Sequence, residues 1–295
     1  MKELLEFFEL KDEPFRLTPD CDYFFPSSSH SVALKLIEYS LNDPDGFVLL
    51  TGSPGMGKTT LIRKLFEKLD EKWETVLIVA PMLKPEELME AILSDLNLET
   101  SSNTAKNFQK LQDYLIALAK DNKKLLLVID EAQNLPVETL EQIRLLSNIE
   151  TSTQKPLQII LSGQPELEQK VKQNIAQLDQ RITVRCTLKP LSKDETRDYI
   201  KFRFSKANGR VDITKSALEI VYKYSGGIPR LINSIMKRAL LMAFSDNSKA
   251  IEVRHIKAAV ESLGLKKNQM PILYIIGILI AIVLIALIVY FFKRS

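Results

Sequence analysis

The stretch richest in chemistry is Gly52-Ser53-Pro54-Gly55-Met56-Gly57-Lys58-Thr59-Thr60. Two glycines five residues apart, followed by lysine and a hydroxyl residue, give a loop whose backbone can wrap a phosphate chain. Glycines admit the backbone conformations that turn N–H groups inward. A helix starting at the lysine adds its positive N-terminus to the same point. On this reading Lys58 reaches the β- and γ-phosphate oxygens of a nucleoside triphosphate, and the Thr59 hydroxyl ligates Mg²⁺. The plainer alternative is a glycine-rich turn beside a solvated lysine. Context argues against it, because the apolar run Phe47–Thr51 leads in and a helical pattern, TLIRKLFEKL, leads out.

A second group of residues lies about 65 positions on, where Leu125–Ile129 ends in Asp130-Glu131. An apolar strand there delivers two adjacent carboxylates at its carboxyl end, where open α/β sheets place ligands. Asp130 then belongs to the Mg²⁺ shell, and Glu131 orients and deprotonates an attacking water. A carboxylate next to the metal residue points to hydrolysis rather than simple retention of nucleotide. Weaker signals follow. Ile159-Ile160-Leu161 runs into Ser162-Gly163-Gln164, so either Ser162 or Gln164 stands where a γ-phosphate or water would be touched, and plain strand-end polarity explains them equally well. Arg181 precedes the fifth apolar run and Arg230 opens a late helix. An arginine aimed at the γ-phosphate stabilises charge that develops during transfer, but spacing alone leaves both as surface salt-bridge candidates.

These residues need a scaffold, and the sequence supplies one. Five apolar runs, Phe47–Thr51, Val76–Ala80, Leu125–Asp130, Leu157–Ser162 and Ile182–Thr187, alternate with amphipathic helical patterns near 58–69, 85–96, 105–121, 136–149 and 165–177. Strands that are apolar without alternation, separated by helices, predict an α/β fold with a parallel five-stranded sheet covered on both faces. After Lys189-Pro190 only helical patterns remain, near 192–207, 214–224, 228–244 and 253–262. The expected organisation is a core over 1–190, a small helical domain over 191–263, a linker over 264–270, an apolar span over 271–292 and a three-residue tail, 293–295.

The span, PILYIIGILIAIVLIALIVYFF, is 22 residues without a charge. As a helix it covers about 33 Å, enough to cross a hydrocarbon core. The acidic N-terminus, MKELLEFFELKDEPF, is no signal peptide, so the expectation is a single-pass protein of the inner, cytoplasmic membrane with its body in the cytoplasm. Of the 295 residues, 45% are hydrophobic and 26% charged, which excludes a disordered chain. Net charge is +3, and Lys266, Lys267, Lys293 and Arg294 more than account for it, so the body is near neutral and a strongly basic nucleic-acid-binding body is not indicated. Cys21 and Cys186 fit no metal or redox spacing and read as small apolar fillers. His30 and His255 read as helix-surface or capping residues, and Trp73 as a half-exposed packing residue at the start of the second strand.

The succession GSPGMGKTT, LLLVIDEAQ, LSGQPEL, LDQRI and GGIPRLIN resembles the P-loop AAA+ ATPases. More closely, with PFRLTPDCDYFFPSSSH near the start and LKPLSKDETRDYIKFRF after the fifth run, the chain is similar to the ExeA/GspA group of bacterial secretion ATPases over residues 10–262. The resemblance implies an AAA+ core with a helical lid, ATP bound between them near Phe24–His30, and assembly into a homo-oligomer in the form of a ring. It implies that Arg181 is an arginine finger reaching a neighbour's ATP, that Arg230 is sensor 2, and that Ser162 or Gln164 serves as sensor 1. It implies a partner in an envelope machine: secretion, pilus or polysaccharide export. Ala80 departs from the pattern, since it ends the second strand where a polar residue would restrain the catalytic glutamate. Two other function classes stay open, a DNA-associated AAA+ regulator and a non-hydrolysing scaffold ordered by nucleotide.

Overall fold

The structure is a computed structural model that describes residues 2–43, 46–79, 82–150 and 155–265. The expected span over 271–292, most of the linker before it, the tail after it, and Ala80 lie outside the described residues. Among the described residues no helix is long and apolar enough to cross a membrane.

Five strands make one parallel sheet: β1 (Phe47–Thr51), β2 (Trp73–Val79), β3 (Lys124–Asp130), β4 (Leu157–Gly163) and β5 (Val184–Thr187), in the order β2-β3-β4-β1-β5. The continuous apolar runs have a simple cause. Successive side chains of a strand point to opposite faces, and here both faces are covered. Leu125, Leu127 and Ile129 join Leu49, Ile159 and Leu161 in one core. Leu126 and Val128 join Val48, Leu50 and Ile160 in another. In β1, β3 and β4 almost no residue is left for water, so no alternation appears, whereas the edge strands β2 and β5 keep exposed residues.

The first core is closed by α4 (Pro85–Asp95), α5 (Thr104–Lys120), α6 (Val137–Leu146), α7 (Pro165–Asn174) and the short α8 (Ala176–Arg181). The second is closed by α2 (Ser28–Ser40) and α3 (Lys58–Phe66). Two strands start more than one residue away from the sequence expectation. β2 begins earlier, at Trp73, because this edge strand stays in register with Lys124–Leu126 although its own first residues are only half buried. β5 begins later, at Val184, because the chain before it is wound into α8. The order of the sheet matters for the site: β4 lies between β1 and β3, so the exits of these three strands stand side by side.

A third core belongs to α9 (Lys193–Lys206), α10 (Lys215–Ser225), α11 (Pro229–Ser245) and α12 (Val253–Ser262), with a two-residue parallel ladder, β6 (Asp212–Ile213) and β7 (Ala250–Ile251). The chain's first residues, grouped with the sheet in the sequence reading, pack here instead. Leu4 of α1 (Lys2–Phe7), together with Phe8, Leu10 and Phe15, is buried among Ile200, Phe204, Met236 and Leu240. Phe15 meets Phe204 edge to face at 5.0 Å, and Phe7 meets Phe244 at 5.3 Å. The helices cannot bury their apolar faces against one another alone, and this N-terminal segment supplies the missing cover.

Candidate nucleotide site

The loop between β1 and α3 has the geometry its glycines allow. Gly55 and Gly57 have φ of +80° and +89°, left-handed values that suit glycine. Gly57 is the N-cap of α3, so the helix begins at Lys58 with its first N–H groups turned toward the loop. Lys58 is buried, and its ammonium donates to the Gly52 carbonyl at 2.9 Å. Thr60 sits with Thr59 in the first turn of α3, and both line the cleft beside it.

Asp130 ends β3 only 2% exposed. A buried carboxylate needs donors, and three converge on it. The Thr59 hydroxyl donates to Oδ2 at 2.5 Å, the Ser162 hydroxyl to Oδ1 at 2.7 Å, and the Glu131 backbone N–H to Oδ1 at 3.0 Å. The Thr59 Oγ1 and the Asp130 carboxylate are hard oxygen donors in contact, the set Mg²⁺ takes when phosphates and water complete its shell. Beside the phosphate loop, these two residues fit a cation that shares its ligands with a nucleotide.

Ser162 and Gln164 are thereby accounted for. Ser162 is wholly buried and serves Asp130. Gln164 is the N-cap of α7 and gives its backbone N–H to the Gln133 Oε1 at 3.1 Å. Neither lines the cleft. Glu131 does, from a left-handed backbone with φ 54°. Most other non-glycine residues with positive φ here are asparagines, which tolerate it best. At Glu131 the turn swings the side chain out of the strand direction toward the cleft.

The cleft has a volume of about 210 Å³. Besides Glu131 after β3 and His30 of α2, its walls come from the loop after β1, the N-terminal segment Arg16–Phe25, and the helical unit through Pro229, Arg230 and Asn233. Arg230 sits over the loop. Its backbone N–H donates to the Gly55 carbonyl at 3.2 Å, and a Cβ on Gly55 would lie 2.6 Å from the Arg230 Cβ. A glycine is needed there for the helical unit to close on the loop.

Two cleft residues, His30 and Arg203, take roles that the sequence reading did not give them. His30, expected at a surface or as a cap, is buried. Its Nε2 donates to the Met56 carbonyl inside the loop at 2.9 Å, and Nδ1 accepts from the Ser27 hydroxyl at 2.6 Å. Burial lowers its pKa below the usual value, against the pull of the Met56 carbonyl, which suits the neutral ring this pairing requires. Arg203 of α9 is 5% exposed. It bonds the Pro14 carbonyl through Nε and the Arg16 carbonyl at 3.4 Å, and stacks 4.5 Å from the centre of the Tyr23 ring. Asn233 donates to the same Arg16 carbonyl at 3.2 Å. The N-terminal wall of the cleft is thus tied to the helical unit. His255, by contrast, caps α12 as expected.

Arg181 is elsewhere. It is the last residue of α8 and donates to the Ser147 carbonyl at 3.3 Å. With Arg144, Lys155 and Thr183 it lines a separate cavity beside Gly46, Phe47 and Leu157, at the amino ends of β1 and β4. The length of β1, about 13 Å from first to last residue, separates that end from the phosphate loop.

Residues 41–171 match the AAA domain family. Over 266 residues, 88% of the chain, the sequence is 41% identical to the general secretion pathway protein A of Aeromonas hydrophila. The chain belongs to the AAA+ family of that protein. It spans about half, 49%, of that relative's length. Solved structures share the fold at low identity. The Drosophila ORC bound to DNA superposes with a TM-score of 0.66 at 16% identity, covering 90% of this chain and 66% of that one. Cdc6p of Pyrobaculum aerophilum gives 0.64 at 19%, covering 82% and 71%. The Thermotoga maritima RuvB branch-migration motor gives 0.53 at 19%, covering 80% and 70%.

Proposed function

We propose that this chain binds ATP with Mg²⁺ and hydrolyses it to ADP and phosphate, as a membrane-anchored AAA+ ATPase that self-assembles and drives assembly of an envelope machine of the secretion, pilus or polysaccharide-export type. The observation that carries the hydrolytic part is the Thr59–Asp130 contact at 2.5 Å, with Glu131 next in the chain and turned to the same cleft. Holding a nucleotide needs the loop, whereas a base beside the metal residues serves only a reaction.

In the proposed step a water oxygen attacks the γ-phosphorus in line with the bond to the β–γ bridging oxygen. The Glu131 carboxylate takes the water's proton. The bridging bond breaks, and ADP leaves with its electron pair. Lys58 sets its ammonium against the β- and γ-oxygens, and Arg230 approaches from the helical unit. Mg²⁺ held by Thr59 and Asp130 would supply charge neutralisation across the same oxygens. Arg181 lies at the wrong end of the sheet to serve its own cleft, which supports a role at the cleft of another copy, in an oligomer. The sequence span over 271–292 supports anchorage in the cytoplasmic membrane with the ATPase body in the cytoplasm. The secretion assignment is supported by the 41% identity to a protein of that name. Fold likeness to ORC and RuvB is not carried to their DNA, since the body is near neutral overall rather than strongly basic.

The test is ATP turnover by the full chain in lipid discs, measured against protein density beside Glu131→Gln and Arg181→Ala. The reading expects a specific rate that rises with density and is lost in both variants. ATP binding without turnover, unchanged by Glu131→Gln, would overturn hydrolysis in favour of a nucleotide-ordered scaffold.

A further inference from the structure

We propose that Gln133 is the positioning residue for the Glu131 carboxylate, and that it ties this carboxylate to the helix pair carrying Arg181. The inference rests on the reading of Glu131 as the base of ATP hydrolysis.

The geometry is a short relay. Gln133 Nε2 donates to the Glu131 carboxylate at 2.7 Å, while Gln133 Oε1 accepts the Gln164 backbone N–H at 3.1 Å. The second bond fixes which way the amide points, because a backbone N–H requires the oxygen to face it. The nitrogen must then face Glu131, where only a donor is tolerated. The backbone is held as well: Lys170 of α7 places its ammonium on the Gln133 carbonyl at 3.2 Å and on the Leu135 carbonyl. Space has been left for the amide. A Cβ on Gly163 would lie 2.7 Å from Gln133 Oε1, closer than the two atoms can approach.

Glu131 needs such a partner. Its left-handed turn delivers the side chain to the cleft but leaves several rotamers open. A charge-assisted hydrogen bond removes most of that freedom, and a base off by about 1 Å costs on the order of a hundredfold in rate. The relay also has a direction. Gln164 caps α7, α7 packs on α8, and α8 ends at Arg181. The carboxylate that would activate water and the arginine that would enter another copy's cleft are therefore joined through one side-chain amide. Ala80 lies outside the described residues and plays no part in this assignment.

The experiment compares Gln133→Met, which keeps the length and removes both polar atoms, with wild type and Glu131→Gln, using the full chain in lipid discs. The expected result for Gln133→Met is a kcat at least tenfold lower, with KM for ATP and the melting temperature of the ATP complex little changed. A role in structure alone would lower the melting temperature and shift KM. Should Gln133→Met fail to fold, Gln133→Asn carries the test, since it keeps the amide but is one methylene too short to reach Glu131 and the Gln164 N–H together, and the same loss confined to kcat is expected. An unchanged kcat in whichever variant folds overturns the proposal. If Glu131→Gln is inactive while Gln133→Met matches wild type, the relay alone is wrong. If Glu131→Gln turns over ATP normally, the base reading itself has failed.

Discussion

The polar groups at the carboxyl ends of β1, β3 and β4 are bonded to one another, whereas at the amino ends Arg181 meets, among the described residues, a backbone carbonyl and no carboxylate. At the first end Asp130 gathers Thr59 and Ser162, and Glu131 holds Gln133. At the second, Arg144 has Glu141 at 2.8 Å while Arg181 rests on the Ser147 carbonyl at 3.3 Å. One end is a finished acidic and phosphate-shaped surface. The other presents cations around a cavity lined by Arg144, Lys155 and Arg181. Under the proposed function the difference would mean that the chain divides its chemistry: the groups that bind nucleotide are assembled within one copy, and Arg181, at the far end of the sheet, serves another.

That division is broken or sharpened most forcefully by mixing variants. Arg181→Ala should lower kcat by about a thousandfold or more, the scale of an arginine supplied in trans. Glu131→Gln should lower it by about a hundred- to ten-thousandfold, the scale of general-base catalysis, with ATP still bound. Each variant keeps what the other lacks. If Arg181 serves another copy, equimolar mixtures of the two should recover measurable turnover, because some clefts then pair an intact Glu131 with an intact Arg181. Mixtures as inactive as their parents, under conditions where the two copies co-assemble, would place Arg181 outside the reaction.

How much of this was legible depended on how far apart in sequence the cooperating residues lie. The five strands were readable because both sheet faces are buried, which leaves unbroken apolar runs such as Leu125–Ile129. The phosphate loop and Asp130-Glu131 were readable because their chemistry sits within a few neighbouring residues. His30 was not, since its partner Met56 lies 26 positions away and a histidine on an amphipathic helix carries no local mark. Gln133 reaches Gln164 across 31 positions, and Arg203 reaches Pro14 across 189. The packing of α1 on the helical unit is hidden for the same reason. The six residues of α8 are too few to leave a periodic pattern.

A smaller effect is expected where the two halves of the cleft touch. Gly55→Ala adds a Cβ 2.6 Å from that of Arg230 at a φ of +80°. The left-handed backbone alone costs about 1–2 kcal/mol for an L residue, and the clash adds to it. The helical unit must then back away from the loop. That strain is present without nucleotide, so the ATP-free protein should melt a few degrees lower, about 2–4 °C per kcal/mol in a domain of this size. The displaced Arg230 should in addition weaken ATP binding, read by equilibrium titration. A variant that binds ATP as wild type does would show that the Arg230 approach is dispensable at this end.

The smallest predicted effect tests the clasp beside the cleft, where Glu195 of α9 reaches the start of α2. Its Oε1 accepts the Ser28 backbone N–H at 2.9 Å and the Ser28 hydroxyl at 2.8 Å, and its Oε2 accepts the Ser192 N–H at 2.9 Å. Burial pushes its pKa upward, but these donors outweigh it and hold the pKa at about 2, below the ordinary 4.5. Because the folded value is depressed, the contribution to stability is present above about 4.5 and is lost as pH falls toward about 2. Glu195→Gln should therefore cost about 1 kcal/mol near neutral pH, the scale of a helix cap. It should also flatten the acid limb of melting temperature against pH. The difference between wild type and variant should close between pH 4.5 and 2. Parallel curves across that window would mean that the clasp does not depend on the charge of Glu195, and that the helical unit is held over the cleft by its apolar contacts and the Arg203 anchor instead.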